Sequence, residues 1–238
     1  MVWGGKFSDL EKRCIASWSE LLPEYQIIRW DESNFNIEEH PFAKEAYKAG
    51  KWAFVSDYVR IWILLNYGGV YLDTDYEIVG SIDKYLKKNV FIGLENSEYV
   101  GTAIIGAEKG HWLMREKLDY YDTHPFIISK SKYNMIPNTM VMTDILIRHG
   151  YKRGTTVEID GVYVGARNVF YGEGSDKEAV GIHYFRGSWW SEKERARSKS
   201  KSYKRIKPFL VKGKKAIAAL LGADRARNIE MKIKNFLK

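Results

Sequence analysis

The chain has 238 residues, of which 45% are hydrophobic and 29% charged, a balance typical of a globular protein that builds a sizeable core. This length fits one large domain, or one domain with an appendage, and excludes a collagen repeat, a fully disordered chain and a disulfide-stapled miniprotein. Because Cys14 is the single cysteine, an intrachain disulfide and a cysteine-rich zinc site are excluded as well.

The cysteine count and the hydrophobic pattern indicate the cellular compartment. One cysteine suits a reducing environment. No run approaches the ~20 apolar residues that a membrane-spanning helix needs. Residues 1–10 contain no apolar signal-peptide core. We therefore expect a cytoplasmic location.

Charge is divided unevenly along the chain. Residues 1–188 hold 22 Lys and Arg against 26 Asp and Glu, a net charge of −4, whereas residues 189–238 hold 16 against 4, a net charge of +12. We therefore expect two parts, a main domain over 1–190 and a basic helical tail over 191–238. A cationic tail is typical of a segment that binds phosphate on lipid headgroups or nucleic acid, although a solvated helical surface has the same composition.

Hydrophobic spacing predicts helices that alternate with strands. In chain order we predict a helix over 9–22, a strand over 25–30, a helix over 42–49, a strong helix over 52–67, strands over 70–72, 90–94 and 102–106, a helix over 111–121, a loop over 123–137, a helix over 139–149, and several short strands that end at 181–185. This alternation indicates an α/β domain.

Two carboxylates follow the strand predicted over 70–72. Ligands of open α/β sheets bind at the carboxyl ends of strands, and Asp73 and Asp75 would share one side if the chain stays extended. Paired carboxylates need a neutralising cation, and oxygen ligands suit Mg²⁺ or Mn²⁺, which leave positions for phosphate oxygens. The pattern thus fits a metal-bridged diphosphate. A solvated Asp-rich turn is the alternative, and these residues alone favour it.

The preceding helix favours the functional interpretation. Within 52–67 the only charged residues are Asp57 and Arg60, which lie three apart and share one helical face. The other positions are mostly apolar, which is typical of a buried helix. The pair is either a structural salt bridge or faces a polar ligand at the sheet edge, and arginine suits phosphate.

A family resemblance joins these observations. The run AFVSDYVR over 53–60, followed by YGGVYLDTD over 67–75, resembles the signature of glycosyltransferase family 32, the DXD-containing sugar transferases that include capsular and exopolysaccharide enzymes. The run HYFRGSW over 183–189 resembles the closing motif of that family. The similarity covers about residues 3–190.

The resemblance implies a GT-A-like fold, a Rossmann-like mixed sheet flanked by helices that binds a nucleotide-sugar. It also implies a metal-dependent hexosyltransferase that uses Mn²⁺ or Mg²⁺ and a UDP- or GDP-sugar donor, with retention of anomeric configuration. The acceptor would be a glycan or a lipid-linked glycan, in polysaccharide or capsule biosynthesis.

The same resemblance assigns roles by position. Asp57 and Arg60 would hold the sugar and phosphate region of the donor. Asp73 would contact the ribose or sugar and help to hold the metal, and Asp75 would bind the metal directly. His183 would lie beside the metal or the diphosphate.

Three aromatic and hydroxyl residues complete the expected site. Ser188 and Trp189 would close over the β-phosphate, and Trp3 would stack near the base. Family members usually begin with an apolar strand before this tryptophan, so we expect the N-terminal strand of this chain to be shortened. Glu95 and Asn96, after the strand over 90–94, are candidates for contact with the acceptor.

The basic tail leaves competing functions open. Residues 191–238 would hold the enzyme at an anionic membrane surface on the inner face of the membrane. The main alternative is a nucleic-acid-binding protein, although the mildly acidic main domain has neither zinc-finger spacing nor an RNP-like motif, which argues against nucleic acid as a partner. A metal phosphohydrolase would usually need more ligands than five histidines and these aspartates offer.

Overall fold

The computed structural model describes residues 7–130, 132–173 and 176–186. The expected roles of Trp3, Ser188 and Trp189, the shortened N-terminal strand, the domain boundary near 190 and the basic tail all lie outside these residues and stay predictions. Within the described part of the chain, no helix is both long enough and apolar enough to cross a bilayer.

Six α-helices, two three-residue 3₁₀-helices and nine strands make up the described fold. The helices are α1 Asp9–Leu21, α2 Pro41–Lys48, α3 Trp52–Tyr67, α4 Trp112–Thr123, α5 Asn138–Arg148 and α6 Arg167–Phe170. The strands are β1 Gly69–Leu72, β2 Tyr76–Ile78, β3 Val90–Leu94, β4 Val100–Ala107, β5 Ile127–Ser129, β6 Lys132–Tyr133, β7 Val157–Ile159, β8 Val162–Gly165 and β9 Gly181–His183.

Five strands form a mixed sheet in the order β1-β4-β3-β8-β7. Strand β4 is antiparallel to both β1 and β3, β3 is parallel to β8, and β7 is antiparallel to β8. Strands β1, β3 and β8 therefore point the same way, and their carboxyl ends meet at one edge of the sheet. This mixed sheet with flanking helices confirms the predicted α/β class.

Each face of the sheet has its own apolar core. Helix α3 is apolar nearly all round, and with α2, α4 and α5 it forms the first core against β1, β3, β4 and β8. The second core is rich in aromatic rings, and its largest fully buried members are Tyr76, Phe91, Phe170 and Tyr171. The central strands β3 and β4 are therefore buried on both faces, which explains their continuous apolar runs.

Three local predictions differed from the structure. Residues 25–30 form no strand, because Ile27 and Ile28 are 43% and 57% exposed and have no sheet to cover them. Strand β2 was missed because its three residues follow the acidic turn directly and pair only with the distant β9. A two-stranded β5–β6 hairpin interrupts the loop predicted over 123–137.

The second core requires a glycine beneath one ring. A Cβ on Gly106 of β4 would lie 2.0 Å from a ring carbon of Phe91 on neighbouring β3. We predict that Gly106→Ala lowers the free energy of unfolding by about 1–3 kcal/mol, because a packed core accommodates added volume only with strain. Urea denaturation measures this loss. The loss should shrink in a Phe91→Leu background, and an equal loss in both backgrounds would contradict the steric explanation.

Candidate functional site

The turn between α3 and β1 sets the position of the charged helix face. Gly68 has φ +73°, and a Cβ at this position would lie 2.8 Å from the backbone nitrogen of Lys109. Glycine is therefore required for both its backbone conformation and its size. The turn reverses the chain, so that Asp57 and Arg60 lie beside the carboxyl end of β1.

Arg60 connects the helix to the acidic motif. Its side chain is buried, with Nη2 2.9 Å from Asp57 Oδ1 and Nη1 3.2 Å from Asp73 Oδ1. Nη1 also donates to the backbone oxygen of Thr102 at 2.7 Å, and the guanidinium lies 4.5 Å from the ring centroid of Tyr71. The Asp57–Arg60 pair is thus a salt bridge that also faces the acidic motif.

The two aspartates converge through a turn and not through an extended strand. Residues 73–75 leave β1, and the backbone nitrogen of Tyr76 donates to the oxygen of Asp73 at 2.9 Å. The chain therefore does not stay extended through Asp73 and Asp75, and the condition for strand alternation is not met. The Tyr71 hydroxyl donates to Asp73 Oδ1 at 2.7 Å, which fixes that carboxylate at the sheet edge.

Strand β9 brings His183 to the same place. Its pairing with β2 sets His183 opposite Tyr76. The Nε2 atom then lies 3.3 Å from Asp75 Oδ1 and 4.0 Å from Asp73 Oδ2. The backbone nitrogen of Arg186 donates to Asp75 Oδ2 at 3.0 Å. Pairing of β9 with β2 therefore joins chain segments that are more than a hundred residues apart in sequence.

These three side chains form a donor set that fits a divalent cation. One ligand atom from each of Asp73, Asp75 and His183 lies within 4.8 Å of the other two. Two carboxylates and an imidazole are ligands that Mn²⁺ accepts, and carboxylates suit Mg²⁺. The buried Nδ1 of His183 has no hydrogen-bond partner in the described part of the chain.

The protonation equilibria reflect an excess of carboxylates. Burial opposes the charged form of His183, but its hydrogen bond to Asp75 and the nearby carboxylates outweigh burial and raise the pKa of His183. Burial likewise opposes ionisation of Asp75, but the contact with His183 and the hydrogen bond from Arg186 lower its pKa. Burial, assisted by the charge of Asp73, raises the pKa of Glu95. A cation at this place would relieve the repulsion.

Tertiary contacts add two residues that the sequence analysis missed. Asn138, at the start of α5, donates from Nδ2 to Asp57 Oδ1. Lys117 of α4 donates from Nζ to the backbone oxygen of Asn138. The sequence did contain a signal for Lys117, because it lies four residues from both Leu113 and Tyr121 on the buried face of α4.

A cleft of about 350 Å³ lies at the opposite edge of the sheet, near the start of β1 and the end of β4. Three of its polar side chains already have partners, because Lys88 pairs with Glu158 and Asn89 donates to Glu108. We assign no ligand to this cleft, since the convergent carboxylates lie at the other end of the strands.

Glu95 provides a test of the site's electrostatics. Its folded pKa is raised, so its ionised form destabilises the folded state, and this cost appears as pH rises through the folded pKa. We predict that Glu95→Gln becomes more stable relative to the unsubstituted protein as pH increases from 4 to 8. Thermal unfolding across this range, without added metal, measures the difference. Exposed Glu178→Gln is the control, and parallel pH profiles for both variants would contradict the prediction.

Comparisons with known proteins find similarity to glycosyltransferases. Residues 8–92 match the family model described as the glycosyltransferase sugar-binding region containing DXD motif. Over 110 residues the chain is 29% identical to inositol phosphoceramide mannosyltransferase 3 of Schizosaccharomyces pombe, covering 44% of this chain and 30% of that protein. Over 115 residues it is 28% identical to mannosyl phosphorylinositol ceramide synthase SUR1 of Saccharomyces cerevisiae, covering 45% and 30%.

A solved structure, the PaToxG glycosyltransferase, superimposes with a TM-score of 0.47 and 17% identity, covering 62% of this chain and 66% of that one. The chain spans about a third of the length of the curated relatives that it matches. The family match includes α1, α3 and the acidic motif, the elements that position Arg60, Asp73 and Asp75. Residues 8–92 of this chain are therefore similar to the glycosyltransferase sugar-binding region of the DXD type.

Proposed function

We propose that this chain is a metal-dependent glycosyltransferase that moves a hexose from a UDP- or GDP-sugar to a glycan or lipid-linked acceptor, with retention of configuration. One observation carries the proposal: Asp73, Asp75 and His183 converge at the carboxyl edge of the sheet, where Asp73 also contacts the buried cation Arg60. This arrangement combines a cation site with a fixed positive charge, which together suit a diphosphate.

Asp73, Asp75 and His183 would hold Mn²⁺ or Mg²⁺, which when bound supplies positive charge to the departing diphosphate. Arg60 supplies a second positive charge from the protein itself. Its guanidinium is held in place by Asp57 and by the backbone oxygen of Thr102, so it needs no reorganisation during the reaction.

Retention needs no protein nucleophile in this scheme. The bond between the sugar's anomeric carbon and the diphosphate oxygen breaks, and a bond to the acceptor hydroxyl oxygen forms on the same face of the sugar. The hydroxyl proton passes to the departing phosphate oxygen. Glu95, the residue that follows β3, would accept a hydrogen bond from the acceptor. Ser188 and Trp189 would exclude water from the diphosphate, and Trp3 would stack on the base.

The acceptor and location are the finer parts of the proposal. The names of the two yeast relatives describe mannosyl transfer involving inositol phosphoceramide, which supports a mannosyl donor as a first candidate and a lipid-linked acceptor. We propose a role in polysaccharide or capsule biosynthesis, at the cytoplasmic face of the membrane. The net charge of +12 over residues 189–238 supports peripheral attachment to anionic lipid.

Donor binding tests the central proposal. Full-length protein is incubated with Mn²⁺ and a panel of UDP- and GDP-sugars, and thermal shift and nucleotide release are measured. We expect one donor to raise the Tm and to release its nucleotide. Asp75→Ala should abolish both effects because it removes a metal ligand.

Asp119→Asn, a substitution on the exposed face of α4, is the matched control and should retain both effects. If no nucleotide-sugar affects the Tm of the unsubstituted protein, the proposal is wrong. Tight nucleic-acid binding in that case would support the alternative based on the basic tail.

Sedimentation with lipid vesicles tests the location. We expect the full-length protein to sediment with vesicles containing anionic lipid, and to be released by salt, because each basic residue near the surface contributes about 1 kcal/mol. Replacing Lys199, Lys201 and Lys204 together by Gln should reduce sedimentation. Equal sedimentation with neutral vesicles would contradict this part of the proposal.

A further inference from the structure

A fully buried lysine lies outside the residues that the proposed mechanism uses. The side chain of Lys117 on α4 is 0% exposed. Lysine is almost never fully buried unless it is paired, because removing an ammonium group from water is costly. Its Nζ donates to the backbone oxygen of Asn138, at the first turn of α5. This contact joins α4 to α5 beside the site.

A series of polar contacts connects this lysine to the acidic motif. Asn138 donates from its side chain to Asp57 Oδ1. The same oxygen lies 2.9 Å from Arg60 Nη2, and Arg60 Nη1 lies 3.2 Å from Asp73 Oδ1. The five residues therefore connect α4, α5, α3 and the turn after β1 without an interruption.

Asp57 and Lys117 each favour the charged form of the other. Burial raises the pKa of Asp57, and the charges of Arg60 and Lys117 oppose that rise. Burial lowers the pKa of Lys117, and Asp57 together with Asp144 of α5 opposes that fall, whereas Arg60 reinforces it. Lys117 thus helps to keep Asp57 ionised, and ionised Asp57 is the form that binds the guanidinium of Arg60.

We infer that Lys117 is a positioning residue of the donor site, which acts through Asn138 and Asp57 to hold Arg60 against Asp73. This inference rests on the proposed function, because Arg60 is the cation that would face the donor's diphosphate. A neutral residue in place of Lys117 leaves Asp57 with a single cation and frees the start of α5. Arg60 then loses its fixed orientation, although no group that touches the donor has been removed.

A double-mutant cycle tests the coupling without any donor. The Tm of full-length protein is measured for Lys117→Met, for Asp57→Asn and for the combined variant. We expect the Tm loss caused by Lys117→Met to be at least halved in the Asp57→Asn background, because the lysine acts through that carboxylate. Met114→Ala, at a fully buried apolar position of the same helix, should cause the same loss in both backgrounds. Equal losses from Lys117→Met in the two backgrounds overturn the inference.

Kinetics test the positioning role. With Mn²⁺ and the donor that the unsubstituted protein uses, we expect Lys117→Met to lower kcat by roughly tenfold or more and to change the donor KM by less than about threefold, as for other residues that orient a binding group. Asn138→Ala removes the next contact in the series, the hydrogen bond from Asn138 to Asp57, and should give the same pattern. This second variant keeps the test available if Lys117→Met does not fold. Met114→Ala, assayed well below its Tm, should keep its kcat.

A kcat for Lys117→Met equal to that of Met114→Ala overturns the positioning role. If the unsubstituted protein releases nucleotide from no donor, the proposed function fails, and the Tm cycle then decides separately whether Lys117 is coupled to Asp57.

Discussion

The guanidinium of Arg60 is the interaction on which the rest of the site depends. It is 5% exposed and lies between two carboxylates, Asp57 on its own helix and Asp73 at the end of β1. Removing one partner of a buried ion pair typically costs about 3–5 kcal/mol, because the remaining charge is left without compensation. The position of the acidic motif is therefore tied to the packing of α3, and α3 is also the centre of the first core.

The site also requires the pairing of β9 with β2. That pairing is short, and α1 reinforces it. The indole Nε1 of Trp18 donates to the backbone oxygen of Tyr76 at 2.7 Å, and the backbone nitrogen of Ile78 donates to Ser17 Oγ at 3.0 Å. These contacts hold β2 immediately after the acidic turn, so that His183 meets Asp75. The site is thus assembled from the first, middle and last parts of the described chain.

Local sequence signals predicted those parts of the fold that local physics controls. The bounds of α3 were predicted correctly, because an apolar run ends at a glycine pair that stops the helix. Strand β3 was also predicted with its observed bounds, since its apolar residues are buried on both faces. The segment over 25–30 also contains isoleucines and aromatic residues but forms no strand, because pairing depends on a neighbouring strand and not on composition alone.

The sequence by itself determined which groups are present: two aspartates after a buried strand, one Asp–Arg pair on a buried helix, a histidine near the end of the main domain and a strongly basic tail. Only the tertiary structure decided which of these groups meet. It replaced the extended geometry of Asp73 and Asp75 by a turn, brought His183 to them, and recruited Asn138 and Lys117 to Asp57. The physical reason is that contacts between distant segments depend on sheet register and helix packing, which no single stretch of residues encodes.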